Sequence, residues 1–431
     1  MPATDPRDPG ARDFPRVLAA EGVANFGAML SRLAIPWLAA LVLQATPLQM
    51  SALLVADVVA GALGSLLLAS WVDRADKRAV MLWCDGLRCA LLAALATATW
   101  LGRIDFVVLV AVAAAGGLLS IGFELARSAW IAQRIAEADL SQRNAQLAMT
   151  GSLSETAAFA LGGWIYQGLG AALSLAVNAA TYAVSALCLR QVAPAPPERS
   201  PHAAAQEGAA PVSPWRRLGH EVADGLRAVA ARPRLRALAG IESLIAFAGS
   251  LTGTSYMIYV TRDLGLATGP LGMIFALGGL GAVVGAALAP ALGRRIGPGR
   301  TMTAGLAAMA LGAACIPLAG HLGAGLAWIA MAWLAAHQIV GDGGQTMHDV
   351  HDRTLRQTAV PAALLARADA GIRSAGQLAT LAGALAGGLL GNALGTRSVL
   401  WLAAGVAAAA ASLAAWRLAE RGGAGLPAPH R

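Results

Sequence analysis

Apolar residues run through this chain in long blocks separated by short polar interruptions. Twelve blocks stand at 17–43, 47–71, 79–101, 106–126, 145–169, 171–193, 237–260, 269–292, 301–320, 323–346, 370–394 and 398–418. A helix needs about 20 such residues to cross a bilayer, so each block predicts one crossing. Ala and Gly dominate the blocks, and small residues let helices approach closely in lipid. A membrane barrel would show strands of alternating polarity about ten residues long, and the sequence has none. The pattern predicts an all-α membrane protein with twelve transmembrane helices in two six-helix halves.

Composition agrees. Of 431 residues, 57% are hydrophobic and 13% charged, against about 25% charged in soluble domains. The net charge of +8 would suit a nucleic-acid partner if the cations were clustered for one, but their positions say otherwise. With the amino terminus placed inside, 27 of the 32 Lys and Arg fall in segments on that side. Arg103, Arg262 and Arg397 fall outside, and Arg32 and Arg88 lie within spans. Basic loops stay in the cytoplasm, so both termini are predicted cytoplasmic and nucleic acid is not an expected partner. The mixed-charge start lacks the layout of a secretory signal. The predicted organisation is a tail (1–16), a first half (17–193), a cytoplasmic linker (194–236), a second half (237–418) and a tail (419–431). Within the linker, Trp215 to Arg236 is basic and amphipathic and suits an anionic lipid surface.

Catalytic chemistry is missing from the sequence. There is no Walker A motif, nucleophile elbow or HExxH, so neither an enzyme nor a bound cofactor is expected. Cys84, Cys89, Cys188 and Cys315 sit in apolar blocks without a paired spacing and read as small apolar fillers. The run His348-Asp349-Val350-His351-Asp352 has metal-ligating residue types. A helix brings His348 and Asp352 together and turns His351 away, so the run reads as a hydrated helix end, and no metal site is expected.

The charges inside spans need a reason, because each costs roughly 2.5–3.5 kcal/mol at the bilayer centre. They are Glu21, Asp57, Asp85, Glu124, Glu155, Glu242, Asp342, Arg32 and Arg88. Asp85 and Arg88, three residues apart, form a structural pair. Asp57, Glu155 and Arg32 fall near mid-span. Arg32 and Asp57 read either as a lock between the first two helices or as a proton-linked pair. A carboxylate taken out of water without a partner tends to hold a proton, so Asp57 and Glu155, with Arg32, are the candidate proton-coupling residues. Helical spacing puts Glu21, Asn25 and Arg32 on one face, Gln338, Asp342 and Gln345 on another, and Glu242 and Tyr256 on a third.

The two halves echo each other. ASWVDRADKRAVM follows the second block and APALGRRIGPGRTM the eighth, while Arg127-Ser128 and Arg353-Thr354 stand at matching places. The segment Ala69 to Arg78, with Asp73-Arg74 and the closing Lys77-Arg78, resembles the loop motif of the major facilitator superfamily. Asp85 to Arg88, Leu140 to Ala145, Asn178 and Arg356 to Pro361 resemble its drug, macrolide and siderophore exporter branch. One departure is Ala158 to Gly163, where antiporters of the family often carry G-P-x-x-G-G and this chain lacks the Gly-Pro. The resemblance implies a twelve-helix fold whose first, fourth, seventh and tenth helices line a central cavity. It makes Glu21, Asn25, Arg32, Glu242, Tyr256, Gln338, Asp342 and Gln345 the candidate substrate cavity. It also implies a cytoplasmic gate of Asp73, Arg74, Lys77, Arg78, Arg127, Arg294, Arg295 and Arg353, in which Asp73 caps a neighbouring helix and pairs with Arg127 in the outward-open state only. The implied function is proton-coupled efflux of a small molecule by a monomer surrounded by lipid in a bacterial inner membrane. The alternatives are uptake, lysolipid flipping and a non-transporting sensor.

Overall fold

The computed structural model describes residues 9–193, 214–322, 326–360 and 362–419, and these are almost wholly helical. The helices are α1 (Pro9–Trp37), α2 (Pro47–Arg74), α3 (Lys77–Trp100) and α4 (Phe106–Arg134), then one continuous element, Glu137–Arg190. That element breaks at Gly170, whose φ of 77° suits glycine, and the parts on either side are α5 and α6. Next come α7 (Pro214–Ala230), α8 (Pro233–Ile258), α9 (Thr268–Ile296) and α10 (Pro298–Leu322). The last are α11 (Ala327–Ala336), α12 (Asp342–Ala359), α13 (Ala362–Leu394) and α14 (Thr396–Ala419). Among the described residues, ten helices are long and apolar enough to cross a membrane, with Glu137–Arg190 counted once. Trp83, Trp100, Val107 and Leu153 are large apolar side chains left exposed, as a lipid-facing surface requires. The first eight residues, the linker stretch 194–213 and the tail from 420 lie outside the described residues, as do 323–325 in the tenth predicted span.

Among the described residues, three π turns interrupt the ladder, at Leu38–Val42, Tyr259–Asp263 and His337–Gly341. Hydropathy cannot show them, because they change hydrogen bonding and leave composition alone. The first two are copies. After α1, the Leu43 N–H donates to the Leu38 carbonyl and the Ala45 N–H to that of Ala39; after α8, Leu264 donates to Tyr259 and Leu266 to Val260. Each is followed by a left-handed residue, Gln44 (φ 50°) or Gly265 (φ 62°). The copy extends further. Helix starts recur at a constant offset of 221 residues: 47 and 268, 77 and 298, 106 and 327. The repeat thus runs without a gap from the end of the first helix of each half to the start of the fourth, and at this offset Arg127 matches His348 rather than Arg353.

The chain forms two compact units. The first holds residues 1–45, 56–214 and 267–273; the second holds 46–55, 215–266 and 274–431. Each therefore contains a short piece of helix from the other half. In the first unit, the start of α9 meets α5. The Gly269 N–H donates to Gln167 Oε1 at 2.9 Å, and a Cβ on Gly163 would lie 2.9 Å from the Gly269 carbonyl oxygen. In the second, the Leu48 N–H at the start of α2 donates to Asn392 Oδ1 on α13 at 3.3 Å.

Helix α1 begins before the predicted start at 17, because its charged first turns have partners. Asp13, 4% exposed, accepts from the Ala193 N–H, and Arg16 donates to the Gln191 carbonyl at 2.9 Å. Both satisfy groups just beyond the end of α6.

Candidate functional site

The loop between α2 and α3 is a capping device. Lys77 is 3% exposed, and its Nζ donates to the carbonyls of Val72, Asp73 and Ala75, ending α2. Asp76 caps α3 by accepting the Arg78 N–H at 3.0 Å. Arg78 donates to the Leu189 and Arg190 carbonyls, ending α6. Cations at helix C-termini complete unpaired carbonyls and oppose the helix dipole. The expected Asp73–Arg127 pair is not what the structure holds. Arg127 on α4 pairs with Glu21 on α1, and Asp73 makes no ion pair among the described residues. Arg74, Arg294, Arg295 and Arg353 are exposed.

Deeper in this unit, Asp85 and Arg88 pair at 2.6 Å with exposures of 0% and 5%. Ser185 on α6 donates to Asp85 at 2.6 Å. The guanidinium lies 4.9 Å from the Phe123 ring centre and 4.5 Å from that of Tyr182. The pair is structural, tying α3 to α4 and α6. Arg32 and Asp57 do not pair. Arg32 reaches Met29 Sδ at 3.9 Å, while Asp57 lies beside Gly117 of α4, where a Cβ would be 3.3 Å from its Oδ1. The lock between α1 and α2 is therefore not formed by these residues. Arg32, Asp57 and Glu155 are all exposed, and neither carboxylate has an ion-pair partner among the described residues. Gly151 and Gly162, on the Glu155 side of α5, receive α1: Asn25 donates to the Gly151 carbonyl at 3.1 Å, and a Cβ on Gly162 would meet Leu30 at 2.9 Å. Asn25 thus serves helix packing.

The second unit gathers its predicted cavity residues in two groups. Around the third π turn, Gln338 donates to the Phe275 carbonyl at 3.4 Å. Tyr256 is 7% exposed, its hydroxyl has no hydrogen-bond partner among the described residues, and its ring sits 5.7 Å from Phe275 and 6.0 Å from His337. Asp342 stands against Gly278 of α9. Gln345 turns to Asp349 at 2.8 Å instead. The other group lies toward the end of α12, where Arg356 reaches Asp352 at 2.6 Å, Glu242 at 3.4 Å and Asp369 at 3.8 Å. His348 and Asp352 face Glu242, whereas His351 faces α9 and contacts the Ala289 carbonyl, as their helical spacing predicts. A cavity of about 350 Å³ opens here, lined by Glu242, Arg353, Arg356, Asp369 and Arg373 among others. Arg356 and Asp369 were not expected from sequence, because their meeting depends on how α13 packs.

Each half thus carries a carboxylate on its first helix that faces a guanidinium on α4 or an imidazole on α12. The sequence profile of the Major Facilitator Superfamily matches residues 17–347. The chain belongs to that superfamily. Membership makes it a multi-pass membrane protein of a transporter family rather than an enzyme. Solved structures with the same fold include a bacterial homologue of the iron transporter ferroportin in an inward-facing state, at 16% identity and a TM-score of 0.71, covering 94% of this chain and 98% of that one. The nucleoside transporter NupG is similar at 15% identity and a TM-score of 0.69, covering 95% and 98%. The POT family transporter PepTSo follows at 15% identity and 0.68, also covering 95% and 98%. At these identities the likeness is one of fold. No curated protein matches the sequence.

Proposed function

We propose that this superfamily member is a proton-coupled exporter of a small molecule, working by alternating access. In this reading the chain crosses a bacterial inner membrane twelve times as a monomer, with both termini in the cytoplasm. The two six-helix halves are joined by the 194–236 linker. Glu137–Arg190 supplies two crossings, and α11 with α12 supplies one. The observation that carries the proposal is the state of Asp57 and Glu155. Both carboxylates are exposed on apolar helices and have no ion-pair partner among the described residues. Facing lipid would cost roughly 2.5–3.5 kcal/mol each, so they line a watered route, where a lone carboxylate can exchange a proton with substrate. Arg32, also exposed, lies on the first helix of the same unit. Tyr256, Gln338 and Asp342 supply polar groups for cargo in the second unit. The loop motif and the 85–88 segment favour the drug, macrolide or siderophore exporter branch.

The test is a toxicity screen in cells lacking or overproducing the protein. Raised resistance to one or several small molecules, lost in Asp57→Asn, supports export. Sensitisation on overproduction would mark uptake and contradict the proposed direction.

A further inference from the structure

On α12, His348 is a buried imidazole that the neighbouring ion pairs of Arg356 leave unused. Glu242, His348 and Asp352 bring ligand atoms within 4.8 Å of one another. His348 is 1% exposed, and neither of its ring nitrogens has a hydrogen-bond partner among the described residues. Its Nε2 lies 3.9 Å from Glu242 Oε2, too far for a hydrogen bond. A buried imidazole with both nitrogens unpartnered is unfavourable unless something else meets it.

The internal repeat shows what this place holds in the other half. At the offset of 221, Glu242 corresponds to Glu21, His348 to Arg127 and Asp352 to Ile131. In the first half, the built-in guanidinium of Arg127 meets the carboxylate. In the second, the guanidinium has become an imidazole and the isoleucine a carboxylate, and both replacements are metal ligands. Arg356 is a single cation shared among Glu242, Asp352 and Asp369.

We propose that Glu242, His348 and Asp352 bind one divalent transition-metal ion. One imidazole nitrogen and two carboxylate oxygens suit Zn²⁺ with a fourth position open. Bonds of about 2.0–2.2 Å require the donors to draw together. Arg356 gives up Glu242 and Asp352 and turns to Asp369, which it already approaches. Glu242 forms part of the wall of the 350 Å³ cavity, which gives the ion a route in. The site belongs to the second unit and Asp57 and Glu155 to the first, and it shares no residue with them, so it stands or falls independently of export and proton coupling.

The experiment titrates Zn²⁺ into chelator-treated, full-length protein in detergent by calorimetry, with Co²⁺ absorption reporting coordination. One equivalent is expected. Glu242→Gln, His348→Gln and Asp352→Asn should each weaken binding by about tenfold or more. Arg356→Gln removes the competing cation and should tighten it, while His337→Gln, whose ring Nδ1 contacts the Gly312 carbonyl, should leave it unchanged. Absence of saturable binding to the wild type overturns the proposal. So does equal binding in all three ligand variants, or weaker binding in Arg356→Gln. Should a ligand variant fail to fold, the wild type and Arg356→Gln still decide.

Discussion

Arg88→Met tests how the first unit is held together. Met fills much of the same volume and removes the charge. Asp85, 0% exposed, then keeps the Ser185 hydroxyl but loses its ion-pair partner at 2.6 Å. Breaking a buried pair from one side costs about 3–5 kcal/mol, because the remaining charge is left uncompensated. The loss of two ring contacts adds to this. Asp85→Asn is the milder lesion. Arg88 keeps the faces of Phe123 and Tyr182 and a contact with Ser120 at 3.4 Å. The double variant removes both charges and should recover much of the loss, since replacing a whole buried pair by neutral groups is often nearly neutral. The assay is thermal unfolding in detergent, where about 2–4 °C accompany each kcal/mol. Arg88→Met should unfold about 6–20 °C lower, and the double variant well above it. A fall under about 3 °C for Arg88→Met, or full additivity in the double variant, would refute the network.

Gly281→Ala places a methyl 2.5 Å from the Ile339 carbonyl oxygen at the third π turn. It should cost about 1–3 kcal/mol in the same assay, whereas Gly61→Ala, with nothing within 4 Å, should be neutral or stabilise by up to about 1 kcal/mol. For topology, a cysteine replacing Arg103 should react with an impermeant thiol reagent from outside, and one replacing Arg294 only after the cells are opened. Labelling of position 294 in intact cells would reverse the proposed orientation.

What the sequence disclosed followed from periodicity. The Asp85–Arg88 pair was legible because both ends lie on one helix, and so was the separation of His348 and Asp352 from His351. The break near residue 170 was legible because apolar blocks end on either side of it. Partners on other helices were not. Nothing in the spacing gave Ser185 to Asp85, Glu21 to Arg127 or Glu242 to His348, since those meetings depend on packing over a hundred or more residues of chain. The loop at 73–78 was found by resemblance, but its work as a cap for α2, α3 and α6 needed the carbonyls it meets. The offset of 221 was present in the numbering all along and became visible only when the π turns marked corresponding places.

The central claim is that Asp57 and Glu155 exchange protons for cargo. The direct measurement is proton release, in weakly buffered detergent with a pH dye, when a compound identified by the screen is added to purified protein. The wild type should release protons on substrate addition, and Asp57→Asn and Glu155→Gln should each diminish that release while remaining folded. Full proton release by both variants, with substrate binding unchanged, would contradict the account.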